Sequence, residues 1–80
     1  MARVRLKYYA VLREQAGCAG ETVETSAADA AGLYEELARR HGFSLGRERL
    51  KVAVNAEFTG WSRPIADGDE VVFIPPVAGG

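Results

Sequence analysis

Asp67-Gly68-Asp69-Glu70-Val71-Val72-Phe73-Ile74-Pro75-Pro76-Val77-Ala78-Gly79-Gly80 closes the chain, and how this stretch is read decides the fold. Asp-Gly-Asp is tight-turn chemistry, because Asp satisfies backbone groups locally and Gly accepts positive φ. The turn feeds Glu70–Ile74, a β-branched and aromatic run that reads as a strand. Pro75 and Pro76 have no N–H to give, so the ladder stops there and the chain is biased toward an extended path. A domain over 1–74 and a flexible tail over 75–80 are therefore expected. The tail, Pro75, Pro76, Val77, Ala78, Gly79 and Gly80, reaches at most about 20 Å. Gly79 and Gly80 give it a side-chain-free end that fits a narrow channel and adopts whatever φ/ψ the channel demands.

Outward from that strand, the rest of the chain alternates between strand and helix signals. Residues 3–9 put Val4, Leu6 and Tyr8 on one face and Arg3, Arg5, Lys7 and Tyr9 on the other, as a half-buried strand requires. Ala10 to Ala16 has helical spacing with Gly17 as its stop. Residues 21–25 form a second, short strand expected to pair with the first. Ser26 followed by Asp29 has the look of a helix cap, and Ala30, Leu33, Tyr34, Leu37, Ala38 and His41 then make a stripe of period 3.6 that Gly42 closes. Gly32 inside this helix implies either close packing on the sheet or an irregular first turn. Residues 44–49 read as a loop anchored by Leu45. Residues 51–55 alternate again, and after a turn at Asn55-Ala56 the pair Phe58 and Trp61 marks a further short strand or bridge. The predicted architecture is α+β, with one main helix packed on one face of a mixed sheet.

Composition narrows the function. Eighty residues make one domain. Ten basic against eleven acidic side chains leave a net charge of −1, which gathers neither nucleic acid nor an anionic membrane, so neither is expected as a partner. No apolar run is long enough to span a bilayer and no signal-like segment opens the chain, so a cytoplasmic location is expected. Cys18 is the single cysteine. It permits no internal disulfide and no cysteine-based metal cluster, and it reads as a passive loop residue.

Internal catalytic equipment is sparse. His41 is the one imidazole and reads as a helix-end residue. Glu35 and Glu36 lie about 100° apart around a helix and do not converge, which marks a solvated face. No nucleophile motif or phosphate-cradling glycine run is present. The chain is not expected to be an enzyme on its own, and the carboxyl group of Gly80 becomes the candidate reactive group.

Three segments carry a family resemblance: Tyr8-Tyr9-Ala10-Val11-Leu12-Arg13-Glu14, Val52-Ala53-Val54-Asn55, and above all the run from Pro64 to Gly80. They resemble the small subunit of molybdopterin synthase, a ubiquitin-like β-grasp sulfur carrier. The resemblance implies that an ATP-dependent activating enzyme adenylates Gly80, that a sulfur donor converts it to a thiocarboxylate, and that the large synthase subunit uses this sulfur in molybdenum cofactor biosynthesis. It also implies a heterotetramer whose catalytic residues sit on the large subunit, and no permanently bound cofactor, ATP being used only by the activating enzyme. A terminal carboxylate with pKa about 3.5 is ionised at neutral pH and is a poor electrophile, so activation is chemically required. Family members dock through an apolar patch on the sheet, for which Tyr9, Phe58 and Ile74 are the candidates here, with Arg13 as a basic contact to an acidic group on a partner. Three other readings stay open: a thiamine-pathway sulfur carrier, a ubiquitin-like protein modifier, and a β-grasp interaction module without tail chemistry.

Overall fold

In the computed structural model, which describes residues 1–76, the opening alternation becomes β1 (Ala2–Tyr8), with Val4, Leu6 and Tyr8 buried. A short helix α1 (Ala10–Ala16) follows, then β2 (Gly20–Thr25), the main helix α2 (Ala30–His41), a single 3-10 turn over Arg47–Arg49, β3 (Lys51–Val54), β4 (Glu57–Thr59) and β5 (Glu70–Ile74). The strands form one sheet in the order β2-β1-β5-β3-β4. β1 and β5 run parallel at its centre, and the other pairings are antiparallel. This mixed sheet with one main helix on one face is the expected ubiquitin-like β-grasp.

Two expected boundaries move, for reasons the structure makes visible. Tyr9 is not the end of the first strand. It leaves the sheet to become the residue before α1, with its carbonyl accepting from the amides of Leu12 and Arg13. The cap of α2 is Asp29, not Ser26: Asp29 Oδ1 accepts from the Gly32 amide at 2.8 Å. The Ala30 and Ala31 amides donate to the carbonyls of Arg63 and Trp61. The helix therefore starts where a distant loop supplies acceptors for its first donors, which no local pattern encodes. Gly32 needs neither proposed explanation, since a Cβ there would meet Asp29 Oδ1 and the Ala27 Cβ at 3.4 and 3.5 Å, ordinary contact distances.

Gly17 and Gly42 end their helices with φ of 77° and 73°, as their positions predict. At Gly20 the constraint is space: a Cβ would lie 2.6 Å from the Leu6 carbonyl oxygen, a backbone atom with no room to move. The core sits between α2 and the inner sheet face. Ala30, Leu33, Tyr34 and Leu37 pack onto Val4, Leu6, Tyr8, Val52, Val54, Val71 and Phe73. Each fully buried leucine contributes roughly 1.5–3 kcal/mol. Beside it, aromatic rings adjoin one another from Trp61 through Phe73 and Tyr34 to Phe43, Tyr8 and His41, with centroids 5.0–5.9 Å apart.

The Asp67-Gly68-Asp69 turn does more than reverse the chain. Asp67 Oδ1 accepts from the Arg3 amide at 2.8 Å, and the Gly68 amide donates to the Arg3 carbonyl. Asp69 is buried and accepts from Asn55 Nδ2 at 3.0 Å and the Ala66 amide at 2.8 Å. Asn55 in turn exchanges contacts with Glu70. β5 is thus fixed to β1 and to the β3–β4 turn before its first residue.

Candidate functional site

Strand β5 occupies the middle of the sheet, between β1 and β3, so whatever follows Ile74 starts from the centre of one sheet edge. In the parallel β1–β5 pair, Tyr8 lies opposite Phe73. The next residues, Tyr9 and Ile74, therefore stand at the same edge, where Lys51 opposite Ile74 completes the row. Pro75 is half-buried and Pro76 exposed. The predicted site residues Val77, Ala78, Gly79 and Gly80 lie outside the described residues.

The predicted docking residues share one face. Phe58 pairs with Ala53, and Ala53 with Val72, all on the side of the sheet away from α2. Strict alternation along β5 puts Ile74 on that same side. Phe58 is 72% exposed and Tyr9 50%, while Ile74 is half-buried. Phe58, two strands from β5, is roughly 10 Å from the line of that strand. Arg13, exposed on α1, lines a shallow groove with Tyr9, Arg5, Lys7 and Glu70. Tyr9, Ile74 and Arg13 are thus brought to one corner, and Phe58 extends the apolar face away from it.

Beneath that corner lies a cluster that spacing did not reveal. Glu21 Oε2 is 2.6 Å from the Tyr8 hydroxyl, which donates to it, and 2.6 Å from His41 Nε2. His41 is the last residue of α2, the helix-end position that the sequence predicts. The cap contact is made instead by the Gly42 amide on the Ala38 carbonyl, and the imidazole turns to β2. No periodicity could have found this, because the three residues sit on β1, β2 and α2 and meet only in the fold. Glu36 is likewise more than a solvated carboxylate, since it accepts from the buried Thr25 hydroxyl at 2.8 Å. Cys18 sits half-buried against the core in the loop before β2.

The cluster predicts how stability responds to pH. Burial pushes the Glu21 carboxyl up, but hydrogen bonds from Tyr8 and His41 and the positive charges of His41 and Arg40 outweigh it, holding the group below its ordinary 4.5. A carboxyl lowered on folding contributes stability above its unfolded value and loses it as pH falls through the folded one. Burial first, then the bond to Glu21 and the charge of Glu21, push the Tyr8 phenol far above 10.0. Burial also raises Tyr34. A raised phenol contributes fully below pH 10 and loses its contribution as pH climbs toward the folded value. Denaturant midpoints measured against pH are expected to fall as pH drops through the carboxylate range and again as it climbs above 10. Glu21→Gln is expected to flatten the acid limb and Tyr8→Phe to reduce the alkaline one.

Among the described residues no three His, Cys, Asp or Glu side chains are grouped to hold a metal ion, and no helix is long and apolar enough to cross a membrane. Comparison with known proteins is informative over nearly the whole chain. Residues 6–80 match the ThiS family. The molybdopterin synthase sulfur carrier subunit of Escherichia coli (strain K12) is 31% identical over 80 residues, with 96% of this chain and 99% of that protein covered. The protein of the same name from Mycobacterium tuberculosis (strain H37Rv) is 34% identical over 83 residues, with both chains covered completely. Among solved structures, SAMP1 from Haloferax volcanii, a small archaeal modifier protein, has a TM-score of 0.83 at 27% identity and covers 99% of this chain and all of its own. With the match running from within β1 to the last glycine, and with the sheet order in place, the chain belongs to the ThiS family.

Proposed function

We propose that this chain is the sulfur-carrier subunit of a molybdopterin synthase and that its reactive group is the carboxyl of Gly80. The observation that carries the reading is a central strand, β5, which ends at Ile74 beside exposed apolar residues and is followed in sequence by Pro75-Pro76 and Gly79-Gly80. The full-length likeness to sulfur carrier subunits supports the same reading. In the proposed cycle, a Gly80 carboxylate oxygen attacks the α-phosphorus of ATP on an activating enzyme and displaces pyrophosphate. A sulfur nucleophile from a donor then displaces AMP from the acyl adenylate and leaves a thiocarboxylate. The anionic sulfur of that group is the nucleophile handed to the large subunit, which supplies the catalytic residues. The whole cycle is assigned to the cytoplasm.

Intact-mass measurement of the chain purified from its native host tests the chemistry. A population heavier by the replacement of one oxygen with sulfur, and lost on hydrolysis, is the expected result. Uniform unmodified mass from cells actively making the cofactor would refute it.

Docking is assigned to the outer face. Phe58→Asp is expected to weaken binding to the large subunit by about 2 kcal/mol, roughly thirtyfold, because a charge replaces an apolar anchor. Arg13→Glu is expected to cost about tenfold and to steepen with falling salt. Titration calorimetry of each variant, with unchanged denaturant midpoints as the folding control, measures both.

The likeness to SAMP1 favours one second reading, attachment of Gly80 to amines of other proteins. The activated acyl group is common to both, and recovery of isopeptide-linked conjugates from cells separates them.

A further inference from the structure

The proposed docking corner rests on a support that its own residues do not provide. Tyr9 follows Tyr8 directly, and Arg13 hangs from the Tyr9 carbonyl through its amide at 3.4 Å. Ala10, between them, has φ of 52°, so the chain turns sharply out of the sheet just past Tyr8. Such a left-handed alanine carries roughly 1–2 kcal/mol of strain, and the junction holds only if its flanks are fixed. On the sheet side the fixing point is Tyr8, which lies opposite Phe73 of the tail strand and whose amide donates to the Ala19 carbonyl at 2.9 Å. Its hydroxyl is held by Glu21, and Glu21 by His41 at the last residue of α2. The His41 ring also meets the Tyr8 ring edge-on, with centroids 5.8 Å apart. One turn beyond the junction, Gln15 of α1 exchanges two hydrogen bonds with Ser44, at 2.9 and 3.1 Å, just past the same end of α2.

Both strands of the corner and the short helix beside them are therefore referred to one rigid body, the C-terminal end of α2. We propose that His41, acting through Glu21 and Tyr8, is a positioning residue that fixes how Tyr9, Arg13 and the residues after Ile74 are presented to the enzyme that activates Gly80. This inference rests on the sulfur-carrier reading and adds to it a role for three residues that touch no reacting atom. The cluster acts on recognition and not on the chemistry of the acyl group. Its loss should therefore raise the concentration of carrier needed for half-maximal rate and leave the rate at saturation alone.

The test is pyrophosphate release by the activating enzyme of the same organism, with the full-length chain as variable substrate. Tyr8→Phe removes only the hydroxyl, and His41→Phe keeps an aromatic ring, larger than the imidazole, while removing the hydrogen bond to Glu21. Each is expected to raise KM about tenfold with kcat within about twofold, the loss of one well-placed bond to a charged group. Glu21→Gln keeps an oxygen that accepts from both partners and is expected to stay within about threefold of wild type. Faster amide hydrogen exchange at Leu12, which donates to the Tyr9 carbonyl, and at Ile74 in the two phenylalanine variants, at a temperature where both are folded by circular dichroism, is the accompanying result. Wild-type KM in both variants, or a fall in kcat at unchanged KM, overturns the positioning role while leaving the carrier reading intact. Failure of the wild-type chain to support any pyrophosphate release overturns both.

Discussion

Deletion of Gly79 and Gly80 is expected to abolish thiocarboxylate formation and all downstream sulfur delivery while leaving the domain as stable as before. Stability is set by the buried core, and the chemistry by the terminal carboxyl. Among the described residues the buried core runs from Val4 to Phe73, all of it upstream of the deleted pair. Surface and terminal changes of this kind usually stay within about 0.5 kcal/mol. The chemistry, by contrast, requires a carboxyl at a fixed distance from the docking face. Shortening the chain by two residues withdraws it by about 7 Å, far outside the tolerance of an adenylating site. Adenylation of the truncated chain, followed as pyrophosphate release beside its thermal melt, checks both halves of the expectation. Undiminished function of the shortened chain in cells, without any adenylation, would favour an interaction module with an idle tail.

Phe73→Ala is expected to give the largest structural effect. Phe73 is fully buried, stacks on Trp61 with centroids 5.9 Å apart, and meets Tyr34 edge-on at 5.0 Å. It also sits between Tyr8 and Val52 in the two central pairings of the sheet. Removing such a ring costs about 3–5 kcal/mol in lost transfer energy and residual cavity. An 80-residue domain has on the order of 4–12 kcal/mol in total. The melting temperature should fall by about 20 °C, and a substantial unfolded fraction at 37 °C follows for the less stable end of that range. Because Phe73 directly precedes Ile74, the same change loosens the origin of the tail. Carrier activity per folded molecule should therefore fall as well. Circular dichroism melts and pyrophosphate release normalised to folded protein distinguish the two effects.

The contrast between these variants reflects what the chain wrote locally and what it did not. Period-two alternation set β1 and β3 and told the inner from the outer face of β1, because side chains in a strand must alternate, while a β-branched and aromatic run set β5. The stripe Ala30, Leu33, Tyr34 and Leu37 set the buried side of α2, and Gly17, Gly42 and Gly68 fixed three chain reversals through their positive φ. The chemistry at the end of the chain was legible for the same reason: two prolines and two glycines act through their own covalent structure and need no neighbours. Such properties lie within a few residues, so the sequence by itself determined the elements, the polarity of their faces and the position of the candidate reactive carboxyl.

Only the tertiary structure decided the order β2-β1-β5-β3-β4, which makes β1 and β5 parallel partners although they lie at opposite ends of the chain. It also decided that α2 begins at Asp29, where the carbonyls of Arg63 and Trp61 meet its first amides. And it alone brought Tyr8, Glu21 and His41 within hydrogen-bond distance. Each of these depends on which segments a closed core makes neighbours. That choice is settled by burying all apolar faces at once, and it leaves no trace in the spacing of any one segment.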